Sequence, residues 1–392
     1  MNAIFRFLSA RPSRLALLRV SVILALLAGF ALSPKLWLTS RFYPLTPVWS
    51  FIRPFPTPID SFVLFALIAL LIAAAVAPRR EILIAVFVLI ALIALQDQSR
   101  WQPWFYQYVL MLAAIAVAGA KREEAALNTG CLIVAATYIW SGLSKLNPVF
   151  FDKTFPWLLQ PFMGAVPPPA QWFVVHLAWL APLVEFGAGI GLLTRHFRSV
   201  ALFCAIAMHL FILVTIGPLG RSVNHVVWPW NLAMMAFLLI LFFRRADQPA
   251  PRDIVWGRAF AFQKIVLVLF GLMPALSAFD LWDHYLSSAL YSGNISTAVV
   301  YLNDAVFDRM PDQIEDYVTE EGPNLNQLDL SDWSYGELNV PSYPEIRVFK
   351  NIAKAFCGYA SDDPSVELVV QGKLAFVNGN RRSVYHCSAL RK

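Results

Sequence analysis

The chain has 392 residues, of which 58% are hydrophobic and only 14% charged. Soluble domains carry roughly 25% charged residues, so this composition excludes an ordinary soluble enzyme. The apolar residues are also gathered into blocks, and a helix crossing a bilayer needs about 20 mostly apolar residues in a row. The net charge of +6 divides unevenly: residues 1–282 hold 22 basic and 10 acidic side chains, and residues 283–392 hold 9 and 15. That partition is a membrane-orientation signal and a poor fit to nucleic-acid binding.

In chain order the spans fall at 15–32, 59–77, 82–95, 104–119, 125–143, 172–193, 199–216, 226–243 and 259–281. The third and fourth are short and also fit a re-entrant hairpin, leaving seven crossings. Arg6, Arg11 and Arg14 precede the first span like a signal-peptide start, but Leu32-Ser33-Pro34-Lys35 offers no small-x-small cleavage site, so the span reads as a retained helix. With the N-terminus inside, the inner segments carry fourteen Lys and Arg, and the outer segments before the tail carry seven. Positive charge stays cytoplasmic. The expectation is an inner (plasma) membrane protein with a cytoplasmic N-terminus and an extracytoplasmic tail.

The fold class is therefore a polytopic α-helical membrane bundle over 1–282, about nine helices, with a small C-terminal α+β domain over 283–392. In the tail, Ile295–Leu302 reads as a strand and Pro311–Val318 as a short helix. Glu345–Phe356 has apolar residues at helical spacing, with Pro344 before it and Gly358 after it. Val366–Val377 and Ser383–Cys387 read as strands around the hairpin signal Asn378-Gly379-Asn380. Cys357 and Cys387 would meet an oxidising compartment outside, which makes them candidates for a disulfide. Cys131 and Cys204 lie in apolar helices and read as core residues. The tail carries no catalytic motif and reads as a cap or docking surface for an extracytoplasmic protein partner.

Ionisable groups inside spans are costly and mark candidate sites. Lys145, in Tyr138-Ile-Trp-Ser-Gly-Leu-Ser-Lys145-Leu-Asn-Pro, lies near the outer face. From position alone it reads as a lysine that snorkels to the interface; a partly desolvated amine there is a candidate general base. Glu185 and His209 both lie about 16–20 Å from the inner hairpin Thr194–Arg198, so they share a depth near mid-membrane. A structural hydrogen bond and a proton-handling role fit that pair equally. By the same rise, Lys145 lies about 15 Å nearer the outer face than Glu185. The three groups then cannot meet at one atom, and an elongated ligand fits them better.

Two outer loops add polar and aromatic groups. Asp97 and Arg100 are placed to pair, while Trp101 and Trp104 suit an interfacial belt, which is the better reading of that loop. His225, Trp228, Trp230 and Asn231 carry the same belt reading, with His225 and Asn231 able to line a cavity mouth. There is no HExxH, no CxxC and no cysteine–histidine cluster, so no metal site is read, and no phosphate-binding glycine pattern follows a strand. No two matched broken helices suggest a transporter.

Over roughly 90–245, these residues resemble the HTTM superfamily, the membrane part of vitamin K-dependent gamma-glutamyl carboxylases and their bacterial relatives. The likeness rests on Tyr138, Gly142 and Lys145-Leu146, and on Glu185 followed 24 residues later by His209. Glu185 stands where the carboxylases have Asp, and the interval from His176 to Glu185 differs from the family's by a couple of residues. The resemblance assigns a catalytic base to Lys145 and implies a quinone or vitamin K-like hydroquinone as ligand. The run Glu185–Arg195 is also similar to the DoxX/DoxD membrane proteins, which are linked to quinone-coupled oxidation. Carboxylase-like or quinone-coupled chemistry with Lys145, Glu185 and His209 is therefore one expectation. A non-catalytic assembly or maturation factor, working through 283–392, is the other.

Overall fold

The computed structural model describes residues 12–245, 248–257, 260–374 and 382–391. Arg6, Arg11 and the signal Asn378-Gly379-Asn380 lie outside the described residues. The expected spans are all helical: α1 Arg14–Leu32, α2 Ile59–Val76, α3 Arg80–Gln96, α4 Pro103–Ala118, α5 Glu123–Ser144. Residues 144–171, between expected spans, add a π-turn at Phe150–Thr154, the short α6 Phe155–Met163 and the start of α7. Next come α7 Pro168–Leu193, α8 Arg198–Ile216, α9 Val227–Phe242 and α10 Ala261–Phe279. Among the described residues, α1, α2, α5, α7, α8 and α10 are long and apolar enough to cross a membrane, while α4 and α9 are shorter. Phe62, Phe65 and Phe203 are each at least two-thirds exposed on the outside of the bundle. That is costly in water and ordinary against lipid. The chain is a multi-pass membrane protein.

Helix α5 is the axis of the bundle, with fourteen of its 22 residues buried. Two glycines set its contact with α7. A Cβ on Gly142 would fall 2.5 Å from the Phe186 nitrogen and 2.8 Å from the Pro182 oxygen. One on Gly189 would fall 2.8 Å from both the Ala135 oxygen and the Ile139 nitrogen. Backbone thus meets backbone at two levels, as small residues permit in membranes.

The C-terminal domain is an antiparallel five-stranded sheet in the order β2-β3-β1-β4-β5. Its strands are β1 Thr297–Leu302, β2 Val318–Gly322, β3 Leu325–Asp329, β4 Val366–Gln371 and β5 Arg382–His386. Ala298, Val300 and Leu302 alternate inward on β1, opposite Val366, Leu368 and Val370 on β4. Helices α11 Leu330–Leu338 and α12 Ile346–Lys354 supply Trp333, Phe349 and Ile352 to the same core. Cys357 and Cys387, both buried, are joined by a disulfide. The sequence reading missed β2, β3 and α11. The helix expected at Pro311–Val318 shortens to Asp312–Glu315, because Val318 already opens β2. Alternation in β2 is hidden by the exposed Thr319-Glu320-Glu321 of an edge strand.

The domain docks on the loops at one end of the bundle. Glu337 accepts the backbone N–H groups of Phe42 (2.6 Å) and Tyr43 (2.9 Å) and the Trp333 indole (2.9 Å). Arg347 donates to Gln98 at 2.7 Å and pairs with Asp283. Beside that pair, burial and the Asp283 charge push the Glu345 carboxyl up to about 7, against the lowering pull of the His284 N–H and Arg347. The folded state thus disfavours ionised Glu345. Its cost is absent below the ordinary value of 4.5, grows as pH rises, and is complete above 7. Glu345→Gln is expected to stabilise the protein at pH 8 by about 3 kcal/mol and to change nothing at pH 4. Thermal melts of both forms across that range check it; an equal offset at both ends would refute the linkage.

Candidate functional site

Tyr138, Ser141 and Lys145 follow one another at i, i+3 and i+7, so they share one face of α5. That face looks into a cavity of about 100 Å³, bounded also by α6, α7, α8 and α9 and by Leu290 and Tyr291 of the C-terminal region. The cavity wall is apolar except for a few converging groups.

The first group is an ion pair. Lys145 Nζ lies 2.7 Å from Glu185 Oε2, and both residues are only 8% exposed. The ammonium also donates to Ser141 Oγ (2.7 Å) and Ser141 O (3.3 Å), which occupies its three hydrogens. This corrects two expectations. Lys145 does not snorkel outward; its side chain folds back one turn along α5. The 15 Å offset in depth also vanishes, because the N-terminal end of α5 and the C-terminal end of α7 are not level. Gly142 abuts Pro182 and Phe186, and Gly189 abuts Ala135 and Ile139. Helix α7 therefore ends opposite the middle of α5, whose first turns run on past it.

The second group is a chain of hydrogen bonds. Asn231 donates through Nδ2 to Val227 O at 2.8 Å, which turns its Oδ1 toward His209 Nδ1 at 2.7 Å. Nδ1 must then carry the ring proton, leaving Nε2 as an acceptor. Tyr138 Oη lies 2.5 Å from Nε2 and so donates to it. The tautomer is thus set by the amide, and a phenol–imidazole donor–acceptor pair faces the cavity. Lys145⁺ and Glu185⁻ cancel, and this tautomer of His209 is neutral, so the apolar bundle holds no net charge here.

Trp230 lines the cavity and anchors its indole on Gln107 Oε1 at 2.7 Å. Val227, Trp230, Leu290 and Tyr291 also line an adjoining chamber of about 290 Å³ beneath the C-terminal domain. The structure therefore brings together Lys145, Glu185, His209, Trp230 and Asn231. His225 and Trp228 lie outside the cavity: His225 approaches Asn339 at 3.4 Å, and Trp228 donates to Val223 and Ile216.

Asp97, Arg100 and Trp101 are elsewhere. Asp97 is fully buried and pairs with Arg41 at 2.6 Å and Arg100 at 3.8 Å. Burial pushes its carboxyl up, but Arg41 and Arg100 outweigh that and hold it below the ordinary carboxylate value. Trp101 donates to Ala94 O and meets Tyr343 edge-on, while Trp104 is 3% exposed and packs on Gly29. Neither forms a lipid-facing belt. Tight backbone packing at Gly29 and docking of the C-terminal domain cover them. His176 is exposed and stacks on Trp172. Sequence reasoning passed over Tyr138 and Ser141 as site residues, although their spacing from Lys145 was a usable signal.

Residues 123–227 match the family model for methylamine utilisation protein MauE, a bacterial multi-pass membrane protein family. No curated protein and no solved structure matches the chain. The matched stretch runs from the start of α5 to the start of α9, so it contains Tyr138, Ser141, Lys145, Glu185 and His209 but stops before Asn231 and the sheet domain. The chain is thus similar, across the helices that build the cavity, to a family of membrane proteins.

Proposed function

We propose that this protein is a membrane-embedded acid–base or redox protein whose buried cavity takes the ring of a quinone or another lipid-soluble molecule. The observation that carries this reading is the convergence of Lys145–Glu185 and Tyr138–His209–Asn231 on one apolar cavity. A quinone oxygen in the cavity would take its hydrogen bond by replacing His209 on the Tyr138 hydroxyl, or by replacing Ser141 O, the longest of the three contacts, on the Lys145 ammonium. Moving one proton from Lys145 to Glu185 across 2.7 Å leaves a neutral amine and a neutral acid. No net charge changes, so the pair can present a free amine as base without placing a lone charge in hydrocarbon. The adjoining chamber of about 290 Å³ has room for a longer tail.

A second reading is favoured by the MauE match: a factor for maturation of an extracytoplasmic partner, with the sheet domain as its working surface. The loop charges support a cytoplasmic N-terminus in the inner membrane. The Cys357–Cys387 disulfide supports an extracytoplasmic tail. The two readings separate on the molecules that accompany the protein in mild detergent. The first expects a ring-containing, lipid-soluble compound at near one per chain in the wild type, with occupancy reduced about tenfold in Tyr138→Phe. An empty cavity together with a tightly held protein partner would overturn it in favour of the second.

A further inference from the structure

A larger cavity lies on the other side of α5. Its volume is about 570 Å³, and it opens between the C-terminal end of α5, the 3₁₀ end of α10 and the loop after β4. Trp140, Leu143 and Leu146 form its apolar part, and the two leucines are exposed by 37% and 47%. Its polar part comes from Asn147 at the end of α5 and from Ser277, Asn294 and Lys373 across the cleft. Both bordering helices end here, so the cleft sits where hydrocarbon gives way to headgroups, whichever way the chain is inserted.

Among the described residues, Lys373 on the cleft wall is paired with Asp280 beside it. Lys373 Nζ lies 3.1 Å from Asp280 Oδ1 and 3.0 Å from Ser277 Oγ, which leaves one ammonium hydrogen beyond those two contacts. The Asp280 side chain is 36% exposed. His284, also on the wall, adds no cation, since burial and then Lys373 push its pKa down to about 3. A net anion would meet Asp280 as well as Lys373 and gain little. A zwitterion with its charges in the opposite order gains at both ends, provided that its cation can donate hydrogen bonds to the carboxylate.

We propose that this cleft binds a phospholipid with an ethanolamine headgroup: phosphate on Lys373, primary ammonium on Asp280, acyl chains along Trp140, Leu143 and Leu146. The site is separate from the buried cavity and does not depend on what that cavity binds. Native mass spectrometry of the full chain in mild detergent tests it, with dioleoyl phosphatidylethanolamine, phosphatidylcholine and phosphatidylglycerol added in turn. The wild type is expected to retain phosphatidylethanolamine about tenfold better than phosphatidylcholine, whose quaternary ammonium cannot donate. Asp280→Asn should abolish that preference while lipid is still held, and Lys373→Met should lose the lipid. Lys373→Arg should retain it, which separates loss of contact from misfolding. Equal retention of the three lipids by the wild type, or an unchanged preference in Asp280→Asn, overturns the proposal. Displacement of the lipid by inorganic phosphate alone would assign the cleft to free phosphate and overturn it as well.

Discussion

Lys145→Met alone is expected to destabilise the protein by about 3–5 kcal/mol, because it strands the Glu185 carboxylate in an apolar bundle. Lys145→Met/Glu185→Gln removes both charges together and should recover most of that loss. Equilibrium unfolding in mixed detergent, run on the wild type, both single variants and the double variant, gives the coupling energy of the pair. The cycle bears on function too. If Lys145 is the base, the double variant will be folded and inactive in a deletion strain complemented with the gene. If the pair only joins α5 to α7, the double variant will complement. A wild-type melting profile for Lys145→Met would sink the premise, since the 2.7 Å ion pair would then carry no energy. Because the ion pair ties fold stability to Lys145, the double variant separates a chemical role from a structural one better than Lys145→Met alone.

How much of this was legible in the sequence follows from range. The helices were legible because each span is a local property of about 20 residues, and the spacing of Tyr138, Ser141 and Lys145 is equally local. The depth of Glu185 relative to Lys145 was not. It depends on how far α7 slides along α5, and that is settled by Gly142 and Gly189 meeting a second backbone. Counting residues from a hairpin assumes that helix ends are level, and here they are not. The tautomer of His209 was likewise out of reach, since Asn231 lies 22 residues away on another helix. In the tail, β1 and β4 announce themselves by buried alternation, whereas β2 is an edge strand whose exposed Thr319-Glu320-Glu321 masks it.

The loop around Asp97 shows the same limit, and its removal should have the other large effect. Its partner Arg41 is 56 residues earlier, so local reading found only Arg100. The Asp97 carboxylate also accepts from Thr46 N (3.2 Å), Thr46 Oγ (3.0 Å) and Ser99 N (3.1 Å). Arg100, 1% exposed, spends its donors on the carbonyls of Leu36, Ile93 and Trp37. Two guanidinium groups and one carboxylate therefore tie residues 36–46 to the end of α3, and Phe42 and Tyr43 on that loop are what Glu337 grips. Asp97→Ala leaves two cations without their anion, at an expected cost of about 3–5 kcal/mol. The loss should appear first as release of the sheet domain, because the docking N–H groups sit on the loosened loop. Limited proteolysis should then free a fragment beginning near residue 283 from Asp97→Ala but not from the wild type. Asp97→Asn keeps an acceptor for Thr46 and Ser99 and should fall between them. If Asp97→Ala resists protease and melts like the wild type, the docking of the domain rests instead on contacts outside this loop, such as Asn339 donating to Leu32 O at 2.7 Å.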